Sequence, residues 1–362
     1  MVEISVPGKL FVAGEYSVLS PGEPAVLVAV DRVLRVSAEP VPAFEPGIAG
    51  TVCSVLTGAS PVALVREEKT GVQPLVRRYL EPLRHVCAAV GVVDRYLRES
   101  GRTPVPFAIV ISSELDDSLD GVKLGLGSSG AVTVAVVRAL VRLNRLAVDE
   151  IRLLKLALLA GVAVDPRGSG GDIAASLFGG WIAYRPPDRQ WLARGLADRA
   201  LSLESLLAQG WADLTAERLP PPRALRPVVG WTGTPALSSA YIDRISLGHR
   251  GYRRLVEGNS RCVTGLIAAL RRGEDVEVQA RLRQARRLLR EFDAATGLGI
   301  ETRRLATLCR IAAELGVAAK SSGAGGGDCG IALAGDEVDR ELRARWRHAG
   351  LRPLPLAVYD HA

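Results

Sequence analysis

The chain opens on short apolar runs broken by turn formers, a pattern that predicts strands. Residues 3–6 and 10–13 flank Pro7-Gly8, and residues 25–30 and 34–38 read as further strands. Residues 73–99 then mix polar and apolar positions at helical spacing. Residues 106–112 are a Val- and Ile-rich strand, followed by a polar loop over 113–121. A glycine-serine segment leads into an apolar helix predicted at 132–143. Asp149 reads as the cap of a second helix reaching about residue 162. A helical turn after Asp172 precedes a strand at 181–185.

The run Leu219-Pro220-Pro221-Pro222-Arg223 reads as a linker. Beyond it the texture changes to a strand at 227–232 and helices at 238–257, 260–272, 276–292 and 301–315. A strand pair brackets a glycine-rich segment at 320–328. A helix at 338–349 and a strand near 354–359 follow. The predicted class is α+β in two domains, residues 1–222 and 223–362.

Composition narrows the classes. Apolar residues make up 48% and charged residues 23%, so disorder is excluded as the main state. The longest apolar stretch, 153–164, contains Lys155 and falls short of the about 20 residues a membrane span needs. The first residues lack the basic and apolar regions of a secretory signal. Five scattered cysteines without a C-x-x-C pair read as reduced thiols, which points to the cytosol and away from zinc. The net charge of +7 comes from arginines on helix faces with no interleaved aromatics, so nucleic acid is not the expected partner.

The basic residues are more informative by type. Only Lys9, Lys69, Lys123, Lys155 and Lys320 are lysines; all the others are Arg. A lysine kept on such a background suits a site needing a compact point charge on a flexible stem. Lys9, Lys123 and Lys320 stand in or beside glycine-rich segments. Residues 125–130, Gly-Leu-Gly-Ser-Ser-Gly, match the spacing of a dinucleotide fingerprint, but no strand directly precedes them and a helix, not a strand, follows the next helix. A Walker A loop is absent. What remains is a loop entering a helix, where unpaired N–H groups and the helix dipole make a phosphate cradle. Ser128 and Ser129 can donate to phosphate or coordinate Mg²⁺, and Lys123 adds a full charge. Asp172, after Gly168-Ser169-Gly170-Gly171, is a carboxylate on a backbone free of bulk, or simply a helix N-cap. The segment 320–328, with four glycines and two serines, makes sense if backbone N–H groups converge on an anion.

In this order the three segments resemble the motifs of the GHMP small-molecule kinases: residues 7–16 (Pro-Gly-Lys-Leu-Phe-Val-Ala-Gly-Glu-Tyr), 123–130 (Lys-Leu-Gly-Leu-Gly-Ser-Ser-Gly) and 320–330 (Lys-Ser-Ser-Gly-Ala-Gly-Gly-Gly-Asp-Cys-Gly). Within that superfamily the chain is similar to the bacterial phosphomevalonate kinases. They share Gly14-Glu15-Tyr16 where mevalonate kinases have Gly-Glu-His, Lys123 ahead of the second motif, and Gly130 after the serine pair. The resemblance implies a domain like ribosomal protein S5 domain 2 packed on a ferredoxin-like domain, with the site between them. It implies transfer of the γ-phosphoryl group of ATP, with Mg²⁺, to 5-phosphomevalonate, in a monomer or homodimer. A sister kinase acting on an alcohol such as mevalonate, or a non-catalytic nucleotide sensor, are the alternatives.

The resemblance also distributes roles. Gly125, Gly127, Ser128, Ser129, Gly130, Ser321, Ser322, Gly323, Gly325 and Gly326 would bind ATP. Tyr16, Lys123, Ser238, Ser239, Ser322 and Ala324 would bind the acceptor. Mevalonate kinases carry a metal-binding Glu on the helix ahead of the catalytic Asp; residues 158–164 here have no carboxylate. Ser128, Ser129 and the phosphates are left to hold Mg²⁺. The acceptor phosphate, with its second pKa at about 6, needs no base at neutral pH. The difficulty is charge repulsion, and Lys9 and Lys123 answer it. Whether Asp172 is base, orienter or metal organiser stays open.

Overall fold

The structure, a computed structural model, describes all residues except 43–44, 68–70, 117–122, 237–240, 246–248 and 361–362. Among the described residues, eight strands lie ahead of Pro220: β1 (Val2–Ala13), β2 (Ala25–Pro40), β3 (Ile48–Ser54), β4 (Val62–Glu67), β5 (Gly71–Pro74), β6 (Phe107–Ser113), β7 (Trp181–Arg185) and β8 (Thr215–Leu219). They form one sheet in the order β5-β4-β3-β6-β2-β7-β8. β1 runs antiparallel along the other edge of β2. Helices α2 (Ser128–Leu143) and α4 (Gly171–Phe178) pack on β1 and β2, and α1 (Arg84–Glu99) and α3 (Glu150–Val164) pack against α2. The other face is open enough to leave Val110 half exposed.

Four further strands, β9 (Arg226–Trp231), β10 (Ala318–Ser321), β11 (Cys329–Ala334) and β12 (Arg352–Leu354), make an antiparallel sheet in the order β10-β11-β9-β12. Strand alternation sends its side chains into two cores. Val228, Ala319 and Ala332 meet Leu308, Ala312 and Trp346 from the helices Arg303–Glu314 and Asp336–His348. Val229, Ala318 and Ile331 join a core that includes Cys262 and Leu282, from the helices Arg250–Arg272 and Asp275–Thr296, and is continuous with that of the large sheet. The chain's tail straps the sheets together: Tyr359 N–H donates to the Ala29 carbonyl at 3.0 Å, and Gly180 N–H to the Tyr359 carbonyl at 2.7 Å. Among the described residues no helix is long and apolar enough to cross a membrane.

Several predicted elements are redrawn. The first two pairs of strands are single strands, β1 bending through a register shift at Pro7/Gly8. The helix expected over 73–99 is only α1; Pro74 and Pro82 lie in its first part, and proline cannot continue a helix interior. The strands β3, β4 and β5 were not suggested by the pattern. Of the helices expected at 238–257 and 260–272, residues 238–240 and 246–248 lie outside the described residues, while 250–257 and 260–272 join in one helix, Arg250–Arg272. Gly258 does not break it but lets it approach its neighbour, since a Cβ there would stand 2.6 Å from Leu288 Cδ2. α2 begins at Ser128, so both serines sit in its first turn. The last strand is β12, and beyond it Val358 makes only an isolated bridge to Val30.

Candidate active site

The shift in β1 presses the strand against the second glycine-rich segment. Lys9 N–H donates to the Leu126 carbonyl at 2.8 Å. The Lys9 side chain is buried, its Nζ 3.4 Å from the Gly125 carbonyl and 5.7 Å from the centroid of the Phe11 ring. Its stem crosses Gly127, where a Cβ would lie 2.8 Å from Lys9 Cε. Gly127 is the N-cap of α2, at φ 84°, so Ser128, Ser129 and Gly130 offer the helix's first N–H groups beside the lysine.

Asp172 is not an N-cap. That position belongs to Gly170, and Asp172 lies in the first turn of α4 with Oδ1 accepting from Ile173 N–H at 3.0 Å. Its carboxylate faces the start of α2: a Cβ on Gly130 would be 2.7 Å from Asp172 Cγ. Two chambers open on either side of it. One, of about 180 Å³, is walled by Lys9, Glu15, Tyr16, Asp172, Gly323 and Ala324. The other, of about 110 Å³, is walled by His85, Ser129, Asp165, Asp172 and Arg189 against an apolar back. Lys123, at the entry to the second motif, is exposed, and its backbone makes an isolated β-bridge with that of Asp116.

The third segment is fastened on both sides. Ser322 Oγ donates to the Phe11 carbonyl at 3.0 Å and accepts from Phe11 N–H at 2.9 Å, so its hydroxyl joins this loop to β1. Ser321 is buried, and its carbonyl accepts from Lys320 Nζ at 2.5 Å. Gly323, Gly325 and Gly326 all lie at positive φ. Gly326 N–H donates to the Ile300 carbonyl at 2.9 Å, and the Ala324 carbonyl accepts from the Tyr16 hydroxyl. Ser238 and Ser239 lie outside the described residues.

Other groups at the site have roles that the sequence did not assign. Lys320 and Glu15 form an ion pair with 0% and 3% side-chain exposure, which ties the first motif to the third and makes this lysine structural. Asp328 takes φ 47°, accepts from Ala236 N–H at 2.8 Å, and stands where a Gly125 Cβ would be 2.6 Å from its Cγ. Burial raises its pKa, against the Ala236 N–H and the charges of Lys9 and Lys123. Burial lowers that of His85, aided by Arg84 and Lys123 and opposed by Asp172 and Glu81. Arg189 is buried and donates to the Leu19 carbonyl.

Hard oxygen donors suited to Mg²⁺ are present but few. The Asp172 carboxylate and the Ser129 hydroxyl share the smaller chamber. Among the described residues no group of three or more His, Cys, Asp or Glu could hold a metal. The turn of α3 beside them is apolar: a Cβ on Gly161 would meet Ile173 Cδ1 at 2.7 Å. This donor set fits an ion that arrives already bound to phosphates, not one held by a protein cage.

Comparison with known proteins accords with this geometry. Residues 86–180 match the GHMP kinases N terminal domain and residues 266–350 the GHMP kinases C terminal domain. A phosphomevalonate kinase of Streptomyces sp. (strain CL190) is 42% identical, over 97% of this chain and 95% of that protein. A crystal structure of a Lin0012 protein from Listeria innocua superposes with a TM-score of 0.89 at 32% identity, covering 99% of this chain and 98% of that one. The Streptococcus pneumoniae phosphomevalonate kinase, solved in complex with phosphomevalonate and AMPPNP, superposes with a TM-score of 0.84 at 28% identity, covering 99% and 100%.

Proposed function

The chain belongs to the GHMP kinase family, and from that membership we propose that it transfers the γ-phosphoryl group of ATP to (R)-5-phosphomevalonate, giving 5-diphosphomevalonate and ADP. The observation that carries this reading is the 42% identity, over nearly the whole of both chains, to a phosphomevalonate kinase. The site supports it chemically. Lys9 and Asp172 face one chamber, and the first turn of α2 adjoins both. That arrangement favours turnover over passive nucleotide sensing. We divide the chain at 222/223, close to where the large sheet ends and the small one begins, into a kinase domain carrying the loop 123–131 and a ferredoxin-like domain.

ATP lies along the loops that contain Gly125, Gly127, Gly323, Gly325 and Gly326, with its terminal phosphate at the Ser128–Ser129 end of α2. Lys9 bridges the transferred group and the incoming phosphate. Lys123 draws the dianionic acceptor in from solvent. Asp172 orients Lys9 and the metal. The acceptor oxygen is already ionised at neutral pH, so no residue need remove a proton from it. Mg²⁺, held by Ser129, Asp172 and the ATP phosphates, would neutralise charge on the β- and γ-oxygens. Other chamber walls, Glu15, Tyr16 and Ala324 among them, enclose the acceptor's carbon skeleton.

A substrate panel with coupled ADP detection tests the assignment. 5-Phosphomevalonate should exceed mevalonate in kcat/KM by at least about a hundredfold, roughly 2.7 kcal/mol of transition-state discrimination. Comparable turnover of the two would make the chain an alcohol kinase.

A further inference from the structure

Tyr16 lines the acceptor chamber, and its hydroxyl bonds to another wall of that chamber, the Ala324 carbonyl. Its backbone takes φ 63°, ψ −49°, with Ser17 N–H donating to the Glu15 carbonyl at 2.7 Å. That is a tight γ-turn with a non-glycine residue at positive φ, a strained form that persists only where the surroundings enforce it. The enforcing groups are an aromatic cluster of its own. The Tyr16 ring lies 5.4 Å from that of Phe292, and the Tyr252 hydroxyl donates to the Tyr16 carbonyl at 3.2 Å. Leu289, Leu298 and Ile300 complete this satellite core. The strain aims the hydroxyl at the Ala324 carbonyl in the third glycine-rich loop. Burial raises the pKa of this hydroxyl, so it remains a donor. Two residues on, Gly326 N–H donates to the carbonyl of Ile300, a member of the same core. The loop is thus pinned at 324 and 326 to one apolar cluster, and a Cβ on the intervening Gly325 would stand 2.4 Å from the Ile300 oxygen.

We infer that Tyr16 is a positioning residue for the nucleotide: its hydroxyl fixes the third glycine-rich loop through the Ala324 carbonyl and so sets the loop's backbone N–H groups for the phosphates of ATP. This rests on the reading of that loop as a phosphate cradle, and it assigns Tyr16 to the nucleotide although its ring borders the acceptor. A carbonyl held from one side by a tyrosine and an amide held from the other leave the loop little freedom to turn. Without the hydroxyl, the glycines at 323, 325 and 326 return to the wide range of conformations that glycine allows.

Tyr16→Phe removes one oxygen and leaves the ring packing, so the variant should fold; its melting temperature is measured on the same samples. AMPPNP titrated calorimetrically into the acceptor-free proteins should bind the variant about fivefold to tenfold more weakly, the worth of one neutral hydrogen bond. KM for ATP should rise in step, and KM for 5-phosphomevalonate should stay within about twofold. Phe292→Leu, which loosens the ring but keeps the hydroxyl, should shift the same two nucleotide constants by less. Unchanged AMPPNP affinity in Tyr16→Phe, or a rise confined to KM for 5-phosphomevalonate, would overturn the inference. A wild-type chain that binds AMPPNP but ignores 5-phosphomevalonate would sink the proposed substrate, while the calorimetric comparison would still decide the role of Tyr16.

Discussion

At the scale of single residues, burial ranks the cations. Lys9 is enclosed, its stem laid across Gly127, so its charge acts in a medium that screens poorly. Lys123 is exposed, and salt weakens its field. Lys9→Met should therefore lower kcat by about a hundredfold to a thousandfold, the range for one preorganised electrostatic contact. Lys123→Met should cost less, mainly in kcat/KM for the acceptor, and the difference should shrink as ionic strength rises. If Asp172 need not act as a base, Asp172→Asn should do less damage than Lys9→Met and be partly rescued by added Mg²⁺. An Asn variant dead at every Mg²⁺ concentration, beside a healthy Lys9→Met, would restore the base. Lys9, Asp172 and the serines of α2 were legible because their residue types are unusual where they stand. Glu15, His85, Arg189 and Asp328 were not. Their roles depend on what distant segments bring against them, as with the Asp328 carboxylate at Gly125 and Ala236.

At the scale of elements, the third glycine-rich loop is closely enclosed by protein. A Cβ on Gly326 would stand 1.6 Å from the Tyr241 hydroxyl, and both Gly325 and Gly326 lie at positive φ. Gly325→Val and Gly326→Val should abolish ATP turnover while far-UV circular dichroism stays that of the parent. A fully active valine variant would reduce the loop to a hairpin connection between β10 and β11. The loop could be read from sequence because four glycines so close together have no stabilising use. Strand pairing could not be read as well. β4 and β5 are short strands at one edge of the sheet, and their residues carry little alternation to mark them. Apolar spacing continues across Pro74 and Pro82 and so predicts a helix over 73–99, but the folded chain places both prolines outside α1. Gly258 lies inside one long helix, at its contact point with a second, where a Cβ would stand 2.6 Å from Leu288 Cδ2.

At the scale of the whole molecule, proton uptake links stability to the site. His85 lines the smaller chamber with Asp172 and Ser129, and its Nδ1 is buried without a hydrogen-bond partner. Burial holds its pKa below the ordinary 6.5. As pH falls through 6.5 the unfolded chain therefore takes up this proton first, and stability drops until the folded-state value is reached. Asp328 has the opposite sign: its raised pKa means the folded chain protonates first, at the acidic end, above the ordinary 3.8. Melting temperatures between pH 7.5 and 5.5 bracket the ordinary histidine value, and comparison with a variant isolates His85. Wild type should lose stability over that interval more steeply than His85→Gln, which has no such group to charge. Activity should also fall below about pH 6, as the acceptor phosphate takes up its own proton. That loss belongs to the substrate, so it should persist in His85→Gln. A His85→Gln chain whose melting temperature falls as steeply as wild type would remove His85 as the acid-sensitive group. A variant whose activity no longer falls below pH 6 would move the titrating group from the acceptor phosphate to the chamber wall.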